Sequence, residues 1–306
     1  MKALKVLDQI GIVSTSDPLF LEESAYEQPD IYWHNALENL SDMGFKARLG
    51  DFMLDLDTKR RASDFNYMVH RHDVAAIILS HGGDSITETL PYIDMDLFRQ
   101  NPKIVMGQSD NSVLLNFLAY KTLVPTFHAN NFMFGFGKHF TDFDRRELNR
   151  VASNAGYGFF PDNGPSHCVR AGKAAGRFVG GNLECFTKFL TLWPDFDFSR
   201  KILILESFMT DESRARQLLD IYRSFRVFER IAGLVVGHNS KMQQKEYKGA
   251  QLEDLVLEYT CDMNFPILKV NSFGHCVGNT LIPIGARGVM DAAACEWGSC
   301  DSILEV

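Results

Sequence analysis

The 306-residue chain has no surplus of basic residues: 31 Lys and Arg stand against 39 Asp and Glu, a formal net charge of -8. Nucleic-acid binders usually carry a basic surface, so that class is excluded, and the same sign disfavours an anionic membrane surface. No stretch approaches the roughly 18 consecutive apolar residues that a spanning helix needs. The six cysteines, Cys168, Cys185, Cys261, Cys276, Cys295 and Cys300, contain no C-x-x-C pair, and all lie in the second half. In a chain this long they read as reduced thiols rather than a disulfide framework. Asp8 and Gln9 interrupt the N-terminal run MKALKVLDQIGIVSTSD, so no signal-peptide core is expected there. The expected compartment is the cytoplasm. The nine histidines show no H-x-x-x-H or H-E-x-x-H spacing, and neither a metal nor a cofactor is expected. HGGDSI also lacks the G-x-G-x-x-G spacing of a dinucleotide-binding dehydrogenase.

What is present alternates. IGIVSTS at 10–16, FKARLG, VAAIILS at 74–80, KIVM and LVPTFHA read as strands. Helical stretches ALENLSDMG, DTKRRASDFNYMVHRHD and the run after Ser109 lie between them. This spacing predicts an α/β fold whose first domain is a parallel sheet covered on both faces. Ligands of such sheets sit beyond the carboxyl ends of the strands, where HGGDS and GQSD both fall. From about 140 to 176, Gly156, Gly158, Pro161, Gly164, Pro165, Gly172 and Gly176 break any long period. That stretch reads as a connection, giving an N-terminal domain 1–140, a connection 141–176 and a C-terminal domain 177–306. In the last part RFVGGN, KILILES at 201–207 and AGLVVGH at 232–238 read as strands. The helix after KILILES has Thr210 as its expected cap and one apolar stripe, Ala215, Leu218, Leu219, Tyr222 and Phe225. PILKVNSF, TLIPIGARGVM and SILEV read as short strands, so the second domain is expected to end in β-rich structure.

One segment raises a chemical question. KIVMGQSDNSVLLNFLAY, residues 103–120, passes from a strand through Gly107-Gln108-Ser109-Asp110 into a helix. A Gly-x-Ser sequence at a sharp strand-to-helix turn lifts a hydroxyl clear of the sheet as a nucleophile. The alternative is that Ser109, Asp110 or Asn111 simply caps the helix. A serine nucleophile needs a base, and the base an orienting partner. His275, in SFGHCVGNTLIPIG, and Glu206, closing the apolar run Ile202–Leu205, are candidates from different parts of the chain. Each has an ordinary structural explanation when taken alone.

Taken in order, the blocks GGDSITETLPYID, NPKIVMGQSD, GKAAGRFVGGNLECF, KILILES and GHCVGNTLIPIG closely resemble the LD-carboxypeptidase family of serine peptidases, which includes the microcin C immunity proteins. The resemblance runs nearly the whole length. It implies an N-terminal α/β domain bearing a nucleophile elbow, a β-rich α/β C-terminal domain, and a Ser-Glu-His triad falling on Ser109, Glu206 and His275. It also implies an oxyanion hole from the N–H of Asp110 and one from the Gly82-Gly83 loop, assigned to Gly83, with Gly82, Asp84 and Glu88 beside the substrate. A homodimer is a further expectation of the family. Two departures bear on substrate. Carboxypeptidase members usually read GGYG and carry an arginine before the LLP, whereas this chain has Asp84 and Glu88. LPYIDMDLFRQNPK is closer to the immunity-protein branch, yet 140–176 lacks that branch's tryptophan-bearing segment. The expected partner is a small peptide or peptide-nucleotide-like substrate, with murein tetrapeptide as the alternative and Arg177 or Lys173 as possible carboxylate holders. A two-domain small-molecule binding protein without chemistry is the non-enzyme reading.

Overall fold

The computed structural model describes residues 1–19, 28–152 and 158–302. Gly156 and Ile303–Val306 of the SILEV segment lie outside the described residues. The first half runs β1 Gln9–Val13, α1 Pro29–Asp42, β2 Lys46–Leu49, α2 Thr58–His70, β3 Val74–Leu79, α3 Ile86–Thr89, α4 Met95–Gln100, β4 Ile104–Gly107, α5 Asn111–Thr122 and β5 Thr126–His128. A π-helical segment, Phe132–Lys138, and α6 Asp142–Ala152 follow. The strands β2, β1, β3, β4 and β5 are parallel neighbours in that order. Central strands of such sheets are buried on both faces, which is why VAAIIL does not alternate in polarity. On one face Val13, Ile77, Leu79 and Val105 share a core with Phe65 and Met68 of α2 and Val113 and Leu114 of α5. On the other, Ile10, Ile12, Ile78 and Met106 meet Tyr32, Ala36 and Leu40 of α1 and Phe132 and Phe136.

The second half contains β6 Gly158–Phe159, β7 His167–Arg170, β8 Lys173–Asn182, α7 Phe186–Leu192, β9 Lys201–Ser207, α8 Glu212–Ser224, β10 Gly233–Asn239, α9 Leu252–Tyr259, β11 Ile267–Lys269, β12 Ile282–Ile284, β13 Arg287–Asp291 and β14 Glu296–Ser299. Its sheet has the order β6-β14-β13-β8-β9-β10-β11-β7, with β8 to β11 parallel and the flanking strands antiparallel. Three details differ from the sequence reading. The stretch 141–176 is more than a connection: α6, β6, β7 and the start of β8 lie in it, and the strands belong to the second sheet. TLIPIGARGVM divides at Gly285, whose φ of +87° favours glycine. Its first half, β12, crosses to pair antiparallel with β5 in the first sheet, and only β13 stays in the second. The cap of α8 is Asp211, which accepts the Arg214 N–H at 2.9 Å, not Thr210.

Against the face of the second sheet away from α7 and α8, Phe178, Ile202, Ile204 and Val235 pack with Phe160, Phe273 and Trp297. Trp297 is the hub, with ring centroids 4.7 Å from Phe160, 5.9 Å from Phe178 and 5.7 Å from Phe273. Its indole N–H makes no hydrogen bond among the described residues. Trp297→Ala is therefore expected to cost about 3–5 kcal/mol in urea unfolding, whereas Trp297→Phe costs only about 1–2 kcal/mol, because it leaves a smaller void and forfeits no polar partner.

Candidate active site

β4 ends at Gly107, and the chain turns into α5 through Ser109, whose φ of +63° lies in the left-handed region that a residue with a Cβ occupies only at a cost. A buried amide network holds this turn. Asn131 accepts the Gln108 N–H on Oδ1 at 2.9 Å and donates back to the Gln108 carbonyl at 3.2 Å. Asn111 donates to the His81 carbonyl at 2.7 Å and to Asn131 Oδ1 at 3.1 Å, and accepts from Thr15 Oγ1 at 2.9 Å. The capping alternative has no support here: Asp110 occupies the cap position of α5 without a side-chain capping bond. Its buried carboxylate faces elsewhere, accepting from Ser16 Oγ at 2.6 Å, the Ile86 N–H at 3.0 Å and Lys188 Nζ at 2.6 Å. Ser109 itself is partly exposed.

The glycine loop after β3 lies against this elbow. A Cβ on Gly82 would fall 2.7 Å from both Cβ and Oγ of Ser109 and 3.4 Å from the Asp110 nitrogen, so only glycine lets the loop approach so closely. Gly83 has φ +141°, and a Cβ there would meet the Asp17 carboxylate. Asp17 Oδ1 accepts the N–H groups of Asp84 at 3.1 Å and Ser85 at 3.0 Å. Burial alone would raise the Asp17 carboxyl, but hydrogen bonds from Ser85 and the Asp84 N–H hold it below its usual range. Asp84 has an exposed side chain at 3.3 Å from Lys188 Nζ, and Glu88 is exposed on α3.

Glu206, on β9, is fully buried. Its Oε2 accepts His275 Nδ1–H at 2.7 Å and the His275 backbone N–H at 3.3 Å, and its Oε1 accepts Asn182 Nδ2–H at 3.1 Å. Burial pushes this carboxyl up, and the His275 imidazole, His128 and the Asn182 amide overcome that push, leaving it below the ordinary glutamate range. Gly274, φ +127°, lets the loop turn tightly: a Cβ would lie 3.2 Å from the Glu206 Cβ and 3.0 Å from the His238 carbonyl. Phe208 stacks on the imidazole with centroids 4.8 Å apart. His128, at the end of β5, puts Nε2 4.0 Å from Glu206 Oε1, and burial pushes its pKa down to about 4, so it is neutral at pH 7.

The two halves of the site meet through Asn182. Its backbone N–H donates to Ser112 Oγ at 3.2 Å, close to one helical turn after Ser109, while its side chain holds Glu206. Among the described residues no hydrogen bond joins Ser109 to His275, so the expected chain is present from imidazole to carboxylate and open at the serine. Such contacts are often loose without substrate. Lys173 and Arg177 are not brought to the site. Lys173 pairs with Asp291 and Arg177 donates to the Gly285 carbonyl, both toward the opposite end of β8 from Asn182. Sequence reasoning missed Asn182, Asp17, His128, Phe208 and Lys188. Of these, Asn182 lay in GKAAGRFVGGNLECF, Asp17 at the end of MKALKVLDQIGIVSTSD and His128 in LVPTFHA, where a polar residue closing an apolar strand was the available signal.

Residues 10–129 match the sequence model of the LD-carboxypeptidase N-terminal domain and residues 175–290 that of the LD-carboxypeptidase C-terminal domain. The chain is 24% identical to the Microcin C7 self-immunity protein MccF of Escherichia coli, over 94% of this chain and 92% of that protein. It is 25% identical to a probable murein peptide carboxypeptidase of Bacillus subtilis, over 95% and 91% of the two chains. The solved structure of MccF in complex with glutamyl sulfamoyl guanosine superposes with a TM-score of 0.87 at 22% identity, covering 99% of each chain. With both of its domain models matched in order over most of its length, this chain belongs to the LD-carboxypeptidase family, an enzyme family of serine-type carboxypeptidases.

Proposed function

We propose that Ser109, Glu206 and His275 act as nucleophile, orienting carboxylate and general base in the hydrolysis of an amide-type bond. The observation that carries this reading is the buried Glu206–His275 pair at 2.7 Å, linked through Asn182 to the helix that begins at the Ser109 elbow. His275 Nδ1–H donates to Glu206, which leaves Nε2 as the basic nitrogen. Nε2 takes the Ser109 proton as Oγ attacks the carbonyl and returns it to the leaving group, and a water then repeats the sequence on the acyl-enzyme. The N–H groups of Asp110 and Gly83 stabilise the oxyanion, in keeping with the Gly82 approach to Ser109 and the Asp110 nitrogen.

Replacing Ser109, Glu206 or His275 by Ala is expected to lower kcat by roughly three to six orders of magnitude, and the double variants fall no further than the worse single one. Steady-state assays of the six variants check this, and a Ser109→Ala protein with parental turnover overturns it. The binding-protein alternative instead expects no turnover in the parent. Gly82→Ala places a methyl group against Ser109 Cβ and Oγ. It should lower kcat by about 100-fold by displacing the nucleophile, and lower the melting temperature as well because Ser109 has little room to give way.

We propose as substrate an aminoacyl or peptidyl group joined to a nucleotide-like moiety. Supporting it are LPYIDMDLFRQNPK, the MccF likeness and Glu88 in place of an arginine that would grip a terminal carboxylate. The murein reading retains the similarity to the B. subtilis carboxypeptidase. Because Glu88 is exposed, its repulsion of a carboxylate is screened and its discrimination is modest. In parallel assays of aspartyl sulfamoyl adenosine and a murein tetrapeptide, the parent should prefer the former. Glu88→Arg should raise kcat/KM for the tetrapeptide by about three- to tenfold. Efficient D-alanine release by the parent, unimproved by Glu88→Arg, returns the protein to the murein branch.

A further inference from the structure

α7 of the second domain sends one side chain into the elbow region of the first. Lys188 Nζ donates to Asp110 Oδ1 at 2.6 Å, to the Asp84 carbonyl at 3.1 Å and to Asp84 Oδ1 at 3.3 Å. Its side chain is 26% exposed, and Asp110 is fully buried. We propose that Lys188 is a positioning residue that joins the two halves of the oxyanion hole and neutralises the carboxylate beside it; this rests on the serine-hydrolase reading above.

The geometry gives the ammonium two tasks. Asp84 is clamped from both sides, its N–H held by Asp17 Oδ1 and its carbonyl by Lys188, which fixes the peptide next to Gly83. Asp110 contributes its N–H to the oxyanion but also a carboxylate. That charge lies a few bonds from the place where negative charge develops, with little water to screen it. Ser16 Oγ and the Ile86 N–H satisfy one carboxylate oxygen by hydrogen bonding but cancel no charge. Lys188 is the one cation among the described residues hydrogen-bonded to Asp110. Burial works against the charged lysine, and Asp110 more than overcomes it; burial holds the Asp110 carboxyl above its usual range, and Lys188, with Ser16 and the Ile86 N–H, offsets part of that push. Without the lysine, repulsion between Asp110 and the oxyanion falls on the transition state rather than on bound substrate, so the loss belongs to kcat.

The test follows aspartyl sulfamoyl adenosine hydrolysis by the parent, Ser109→Ala, Asp110→Asn, Lys188→Met and the neutral pair Lys188→Met/Asp110→Asn. Lys188→Met is expected to lower kcat by about 30- to 100-fold with KM little changed, and adding Asp110→Asn recovers about tenfold of the loss. A lysine that only supports the fold gives losses that add or a KM that rises, with no recovery. Lys188→Met within about threefold of the parent, or a double variant no faster than Lys188→Met, overturns the inference. Should Lys188→Met fail to fold, the neutral pair decides: kcat within about tenfold of Asp110→Asn supports the proposal, and an inert but folded pair overturns it. A parent as inert as Ser109→Ala removes the hydrolase reading itself, whereas an active parent with inert Ser109→Ala confines any failure to Lys188.

Discussion

A carboxylate with no exposed surface is the constraint from which the site is built. Burying a lone charge costs several kcal/mol after relaxation, so Glu206 persists as an anion only where donors are already in place. The structure supplies three: the His275 ring, the His275 backbone and the Asn182 amide. They come from two separate parts of the chain, the end of β8 at Asn182 and the loop at His275. The donors must therefore be assembled by the whole second sheet, where β8 and β9 run parallel and bring Asn182 level with Glu206. Gly274 lets the histidine loop fold down on the carboxylate, and Asn279 pins that loop by accepting the Gly274 N–H at 2.8 Å and donating to its carbonyl at 2.9 Å. The same register that satisfies the charge orients the imidazole.

The elbow carries the opposite kind of cost. A serine in the left-handed region costs on the order of 1–3 kcal/mol and persists only where its surroundings over-determine it. Asn131, Asn111 and Thr15 do so by occupying the polar groups around the turn, and the close Gly82 backbone leaves Ser109 little room to relax. β12 contributes from a distance. By leaving the second sheet at Gly285 and pairing with β5, it closes the edge of the first sheet beside His128. The chain that carries His275 is thus anchored in both sheets within a few residues of the histidine, which ties the histidine loop to the lobe that carries Ser109.

Much of this was legible because local and long-range signals agree. β3 and β9 are apolar runs that no amphipathic helix matches, and the five ordered blocks fix which polar residue stands at the end of which strand. The shifts are equally physical. Thr210 and Asp211 are adjacent good caps, and one residue of backbone geometry decides between them. TLIPIGARGVM reads as continuous β structure, and only tertiary pairing reveals that Gly285 sends its halves to different sheets. The partners of Asp110 were invisible for another reason: a lysine in an amphipathic stretch such as FTKFL reads as a solvated face, and its meeting with a carboxylate 78 positions earlier depends on how two domains pack.

The disposition of cations around the site also bears on what it accepts. Lys173 and Arg177 occupy the far half of β8, about 16 Å or more of extended strand from Asn182 for Arg177. Lys188 is close to the elbow, but its charge is matched by Asp110 and its remaining donors by Asp84. Arg61 is buried beneath the loop, spending its terminal N–H groups on the carbonyls of Asp55, Leu56 and Ser16 and on Ser85 Oγ. A cation already engaged by a buried carboxylate or by backbone carbonyls has little left to offer a substrate carboxylate, since breaking those contacts would leave buried polar groups unpaired. Glu88 adds an exposed negative charge on α3. The hydrogen-bonded cations of this rim are thus committed to contacts within the protein and not left free for a substrate carboxylate.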